Sequence, residues 1–393
     1  MIPGLEILLT RHPGWLRGKR VALLSHQAAV TTAGQPSAEA LRDLLGPRLV
    51  ALLGPEHGYY GAALAGEHVH TFRHPEWDIP VHSLYGGQRA PTPEVLENVD
   101  VLVCDLQDLG ARCYTYLATL KLAIQACAEN NVEVIVCDRP IPLPCVVDGP
   151  VALPQHDTFV SPAGFPVCTG MTPGETAVWL TQTSQSSQSS HPSHPPRLRV
   201  AWMQGWSRSA SRPGGGPEFI APSPSLRTWE STQAYLATVF AEAFPALDIG
   251  RGTNMGFRVL AAPFINARRL IQKLNAEHLP GVQFHPHTFI PAEGPRKGAP
   301  LEGVKLTVTD PNTFKPVWTS LVLLDLLGPS VWQTENARPA WFDQLYGGPG
   351  LREALMAGAD RVALHALCHA GHGDYHATRA EALHYPPRLA NPV

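Results

Sequence analysis

Charge is scarce in this chain. Asp, Glu, Lys and Arg together make up 16%, and the two signs nearly cancel to a net −3. No basic footprint is present, so nucleic acid and anionic membrane are poor partners. Long apolar runs are missing too, and none approaches the length that crosses a bilayer. The first ten residues are broken by Pro3 and Glu6. They carry no basic region and no small-residue cleavage site, so no export signal is expected and the cytoplasm is the expected location. The seven cysteines are odd in number and form no Cys-x-x-Cys pair. That argues against a disulfide framework or a zinc knuckle. Several sit in apolar runs, as in Val-Leu-Val-Cys-Asp (101–105), which fits buried free thiols in a reducing compartment.

Other absences narrow the chemistry. No Gly-x-Gly-x-x-Gly follows the first strand, and there is no P-loop and no Gly-x-Ser-x-Gly. Dinucleotide, nucleoside-triphosphate and serine-hydrolase readings therefore lose their main support. The tail is crowded with His365, His369, His372, His376 and His384. No His-Glu-x-x-His is present and no acidic ligand sits between them, so exposed histidines on a terminal helix are expected rather than a metal centre. Neither metal nor cofactor is expected.

What is present is a repeated pattern. Apolar runs at 19–24, 49–53, 99–104 and 132–137 each end abruptly in polar residues. Nearly continuous apolar strands are buried on both faces, as in a parallel sheet covered by helices. Residues 37–45, opening on a Ser cap candidate, and 115–130 read as intervening helices. The alternation predicts right-handed crossovers and a doubly wound α/β sheet. Residues 182–197 are rich in Ser, Gln and Pro and are expected as a surface insertion, with a second loose stretch at 207–217. Beyond them, 231–243, 266–276, 316–327 and 351–356 read as helices, and 257–262 and 303–309 as strands. At 393 residues the chain suits two domains. The expected division is a catalytic domain over 1–185, a loop insertion over 186–217 and a smaller α/β domain over 218–393.

Ligands of open parallel sheets bind outside the carboxyl ends of the strands. The polar ends gather His26, Gln27, Glu56, His57, Asp105, Asp108, Asp138 and Arg139 at that rim. Gly-Pro-Glu-His-Gly (54–58) presents Glu56 and His57 on a turn fixed by two glycines and a proline. A Glu against low-dielectric walls can donate a proton to a leaving oxygen; the bland alternative is a capping Glu beside a surface His. Glu67, Asp105 and Asp108 offer further carboxylates, as a glycosidase needs, although an Asp after a strand more often caps a loop. Arg112, Tyr114 and Tyr116 suit a sugar, with aromatic faces for its C–H surface and a guanidinium for a carboxylate. The tyrosines can equally pack beneath the loop. Pro-Ser-Pro-Ser (222–225), with Ser223, and Gly-Arg-Gly-Thr (250–253) are rigid or permissive loops; Arg251 between glycines could approach an anionic ligand closely, or equally sit in a surface turn.

Taken in order, Gly-Pro-Glu-His-Gly (54–58), Ala-Gly-Glu (65–67), Ser-Leu-Tyr-Gly (83–86), Asp-Leu-Gln-Asp-Leu-Gly-Ala-Arg-Cys-Tyr-Thr-Tyr (105–116), Asp-Arg-Pro (138–140), Gly-Met-Thr-Pro-Gly-Glu (170–175), Pro-Ser-Pro-Ser and Gly-Arg-Gly-Thr resemble the DUF1343 family. Its characterised members are exo-β-N-acetylmuramidases of the NamZ type. The resemblance runs from about residue 4 to the C-terminus. It implies a Rossmann-like parallel-sheet N-terminal domain, a second, smaller α/β domain and an active site in the cleft between them. It implies release of terminal N-acetylmuramic acid from peptidoglycan-derived fragments, so the partner is a small sugar or muropeptide; the expected lack of an export signal points to intracellular processing of imported muropeptide sugars or to a different glycoside. Glu56 becomes the catalytic acid and His57 its orienter. Gln27, Glu67, Tyr85, Asp105, Asp108, Arg112, Tyr116, Arg139, Ser223 and Arg251 become substrate-binding candidates, with the lactyl carboxylate meeting Arg112, Arg139 or Arg251. The second group, a carboxylate or the substrate's own acetamido, stays open. The chain departs from the family pattern at 141–145, at Thr169 where a His is frequent, and at Ala243-Phe244-Pro245-Ala246 where Glu-Gly-Thr-Asn is frequent. These departures are expected in rim loops. The alternative reading is a diverged sugar-binding or regulatory protein that kept the cleft and lost turnover.

Overall fold

A computed structural model describes residues 1–186, 194–209 and 216–385. The first sheet contains β1 (Val21–Ser25), β2 (Leu49–Gly54), β3 (Phe72–Arg73), β4 (Pro80–Ser83), β5 (Val101–Asp105), β6 (Glu133–Cys137) and β7 (Leu198–Ala201). Their order is β3-β4-β2-β1-β5-β6-β7. Every pairing is parallel except β3 with β4. Side chains alternate across a strand, and here both faces are dry. Ala22, Leu24, Leu102, Cys104, Val134 and Val136 enter one core with Leu117, Leu120 and Ile124 of the helix Tyr116–Glu129. Val21, Leu23, Val101, Val103 and Ile135 enter the other, with Leu5 and Leu8 of the helix Gly4–Arg11 and Leu41 of the helix Ser37–Leu45. The doubly wound α/β expectation holds. Because β2 lies on one side of β1 and β5 on the other, the strand order reverses at β1, and the crevice above that point is where such sheets bind ligands.

The second sheet is antiparallel: β8 (Val259–Ala261), β9 (Val282–Phe289) and β10 (Leu301–Val308), in the order β8-β10-β9. The helices Trp229–Thr238 and Ala267–Ala276 pack on it, and Pro316–Leu327 packs on those two helices. β9 is absent from the sequence reading. Pro286 lies in its middle, and a proline is tolerated there because β9 is an edge strand.

Other elements differ from expectation. Ser37 does not cap its helix; its Oγ instead donates to Ala29 O at 2.6 Å and to a carboxylate oxygen of Asp105. β7 falls inside 186–217, expected as a loop insertion, and forms the far edge of the first sheet. The Ser/Gln-rich stretch 182–197 opens as the last turn of the helix Pro173–Ser186; residues 187–193 lie outside the described residues. The helix His372–Ala382 returns to the first domain, where Tyr375 meets Trp179 with ring centroids 6.0 Å apart. Tyr385 Oη then donates to Asp138 Oδ2 at 2.6 Å. The tail histidines form a row, His365 stacking on His369 and His369 lying edge-on to His372. His372 is half-buried, with Nε2 2.8 Å from Gly149 O. Among the described residues no cluster of His, Cys, Asp and Glu could hold a metal ion.

Candidate active site

The motif after β2 is built by close backbone packing. A Cβ on Gly54 would stand 2.3 Å from Tyr59 N, so only glycine fits. Gly58 N then donates to Pro55 O at 2.9 Å, closing a tight turn with His57 and Gly58 both at positive φ, 73° and 77°. His57 is a non-glycine residue in the left-handed region, a strained state that persists only where its surroundings impose it. Its Nδ1 lies 2.8 Å from Ala63 O. His57 therefore pins the loop 57–63 and makes no hydrogen bond to Glu56, which corrects the expectation that it orients that carboxylate.

Glu56 stands at the corner of this turn. Its Oε2 accepts from Thr115 Oγ1 at 2.8 Å, and its Oε1 from Gly66 N at 3.2 Å. Tyr85 lies beside it. Burial, then the negative charge of Glu56 and a hydrogen bond to it, push the Tyr85 phenol up to about 12. The carboxylate opens into a cavity of about 580 Å³ bounded by both domains. Glu56, His57, Tyr85 and Thr115 line one wall, and Ser223, Glu242, Arg251, Arg338 and Trp341 line the other. Glu242 is ion-paired to Arg251, and Arg338 Nη2 donates to the Glu242 carbonyl at 2.5 Å.

Five expected site residues line this cavity: Glu56, His57, Tyr85, Ser223 and Arg251. The other seven do not, each for a visible reason. Gln27 Nε2 donates to Ala221 O at 2.8 Å, tying the rim to the loop before Ser223. Glu67 is exposed and accepts from Leu64 N at 2.8 Å, capping its own turn. Asp105 and Arg139 are fully buried and bind each other through two contacts, 2.5 and 2.8 Å. Asp108 accepts from the backbone of Leu109 and Gly110; burial nevertheless raises its carboxyl to about 7. Arg112 is buried and donates to the carbonyls of Pro150, Phe165 and Leu345, so it braces loops rather than reading a ligand. Tyr116 is buried behind the turn, its Oη within 3.4 Å of Glu56 O and donating to Pro222 O at 3.1 Å.

The departures at 141–145 lie in the loop that follows β6, where only Cys145 is exposed. Ile141, Leu143, Thr169, Ala243 and Phe244 are all buried. Glu242, one residue before the altered run, is in the cleft. Sequence reading missed it because it continues a segment read as helix, where a lone Glu looks like a solvated face. Arg338 and Trp341 carried no motif at all. Thr115 was inside a motif already quoted, next to Tyr114 and Tyr116.

His26, at the end of β1, is buried. Burial above all, then the positive charge of Arg139, drops its imidazole from 6.5 to about 3. Its Nε2 accepts from Gln107 N at 2.9 Å, which needs the neutral ring. The unfolded chain therefore binds a proton near pH 6.5 that the folded chain refuses until about pH 3. Stability held above pH 6.5 is lost as pH falls. Between pH 7.5 and 5.5 the expected contribution is a loss of about 1.4 kcal/mol. Urea unfolding of the parent and of His26→Gln at both values checks it, since the variant lacks this proton.

The family model described as "Exo-beta-N-acetylmuramidase NamZ, N-terminal" matches residues 21–230, and its C-terminal counterpart matches 233–385. A Bacillus subtilis (strain 168) protein named peptidoglycan beta-N-acetylmuramidase NamZ is 36% identical over 357 residues, 90% of this chain and 84% of that protein. A crystal structure of a DUF1343 family protein from Bacteroides fragilis NCTC 9343 superposes with TM-score 0.89 at 30% identity, covering 98% of this chain and 99% of that one. A second from the same organism, at 22% identity and TM-score 0.75, covers 98% and 99% and shares the fold.

Proposed function

Because the chain belongs to the NamZ exo-β-N-acetylmuramidase family, we propose that it is a glycosidase releasing terminal N-acetylmuramic acid from peptidoglycan-derived fragments, with Glu56 as its general acid. The observation that carries the acid role is the setting of Glu56. It is held by Thr115 and by the Gly66 backbone at the edge of a cavity of about 580 Å³, large enough for a sugar residue. Thr115 fixes Oε2 at 2.8 Å. Oε1, in the longer 3.2 Å contact, is the oxygen that presents the proton to the glycosidic oxygen. Trp341 and Tyr85 supply flat apolar surface for the ring. Arg251 and Arg338 give the lactyl carboxylate of muramic acid a cationic wall, a role that Arg112 and Arg139 cannot fill from their buried positions.

The seven cysteines are unpaired and six are buried, which supports action in a reducing compartment on imported muropeptide sugars. Among the described residues no helix is long and apolar enough to cross a membrane.

The test is release of free N-acetylmuramic acid from a MurNAc–GlcNAc disaccharide, with chitobiose as the comparison. Release from the first and far less from the second is expected. Equal turnover of both would refute lactyl recognition. No turnover of either by folded protein would favour the sugar-binding reading.

A further inference from the structure

Glycoside hydrolysis has two demands. A proton must reach the leaving oxygen, and a group must serve the anomeric carbon from the other side. Glu56 meets the first. Three carboxylates line the cavity among the described residues: Glu56, Glu242 and Glu293. Glu293 is exposed at the mouth. Asp105 and Asp108 are sealed off behind the rim. Glu242 alone faces Glu56 from the second domain as a part-buried group.

Its surroundings are specific. The helix Trp229–Thr238 continues as a tighter turn, Val239–Ala243, which sets Glu242 at the cleft. Arg251 pairs with Oε1. Oε2 accepts no hydrogen bond from another described residue and is left to the cavity. Burial, the largest influence, raises the Glu242 carboxyl, and the charge of Glu56 adds to this; Arg251 and Arg338 act against them. A carboxylate kept charged by an arginine yet made more basic by burial is suited to accept a proton.

We propose that Glu242 is the second catalytic residue, the base that takes a proton from the water attacking the anomeric carbon. This rests on the muramidase reading above. The glycosidic C1–O bond breaks, and its electron pair stays on the leaving oxygen, which takes the proton of Glu56. The water oxygen forms the new bond to C1 and gives its proton to Glu242. Solvent then returns one proton to Glu56 and removes one from Glu242. A β-glycoside therefore yields the α-sugar first.

The experiment uses 4-nitrophenyl β-N-acetylmuramide and the MurNAc–GlcNAc disaccharide with the full chain. Proton NMR of the parent reaction is expected to show the α-anomer first. Glu242→Ala and Glu242→Gln are expected to lose roughly a hundred- to ten-thousand-fold in kcat on both substrates. Sodium azide is expected to restore Glu242→Ala on the aryl glycoside, forming the α-glycosyl azide. Rescue also reports that the variant is folded, and melting of Glu242→Gln checks this separately. A β-anomer first would overturn the water-base role in favour of attack by a carboxylate or by the acetamido group. Folded variants within tenfold of the parent, or no azide rescue, would overturn it as well. If the parent cleaves a different glycoside, the muramidase reading falls, and the same Glu242 tests run on that glycoside.

Discussion

Glu56→Gln is expected to lower kcat on the MurNAc–GlcNAc disaccharide by roughly a hundred- to ten-thousand-fold, the usual worth of a positioned general acid. The same variant is expected to keep most of its rate on 4-nitrophenyl N-acetylmuramide. The contrast follows from the leaving groups. A sugar hydroxyl is strongly basic and departs only when protonated, whereas nitrophenolate departs unaided. Glutamine keeps the shape of the side chain: its amide oxygen can accept from Gly66 N while its NH2 donates to the Thr115 hydroxyl, replacing the contacts that hold Glu56 at 3.2 and 2.8 Å. The loss is therefore chemical rather than structural. Steady-state kinetics on the two substrates decide it. Equal loss on both would remove Glu56 from the acid role, and survival on both would remove it from catalysis.

The second large effect is on stability. Arg139→Met is expected to cost about 3–5 kcal/mol, because it strands the Asp105 carboxylate in the interior. Asp105 and Arg139 side chains are 0% and 2% exposed. Their contacts include Ser37 on one side and the Val30 carbonyl on the other. Removing both charges, as Asp105→Asn with Arg139→Met, is expected to recover much of the loss, since no buried charge then lacks a partner. Denaturant unfolding of the two single variants and the double variant measures the cycle. The residual folded fraction of Arg139→Met is expected to keep the parent KM. A raised KM with unchanged stability would instead place Arg139 on the substrate.

These two pairs show what the sequence could disclose. The four central strands β1, β2, β5 and β6 were legible because both faces are buried, so Val21–Ser25 and Val101–Asp105 are apolar almost throughout; the short, partly exposed β3, β4 and β7 were not. The rim was legible for the same reason, since polarity begins where each strand leaves the core. What the pattern could not reveal is which charges find one another. Asp105, Arg139 and Glu56 look alike as polar residues after strands, yet two of them neutralise each other inside and one meets the cleft. Arg112 looked like a ligand reader because it sits among tyrosines. Its Nη1 and Nη2 donate to three carbonyls, two of them more than fifty residues away in sequence. Glu242 and Arg338 reach the cleft only through the packing of the second domain against the first, a relation that no local spacing encodes.

The return of the helix His372–Ala382 to the first domain has a consequence in the order of synthesis. Asp138, at the end of β6, is satisfied partly by Tyr385, which lies 247 residues further along the chain. Arg208 similarly donates to the Tyr385 carbonyl at 2.7 Å while pairing with Glu175. A nascent chain that has emitted only the first sheet therefore holds a buried carboxylate and a buried arginine without their last partners. Those vacancies are filled only after the whole second domain has left the ribosome. The two halves meet by their ends as well as by their faces, so the cleft is the opening in a closed loop of structure rather than the gap of a free hinge.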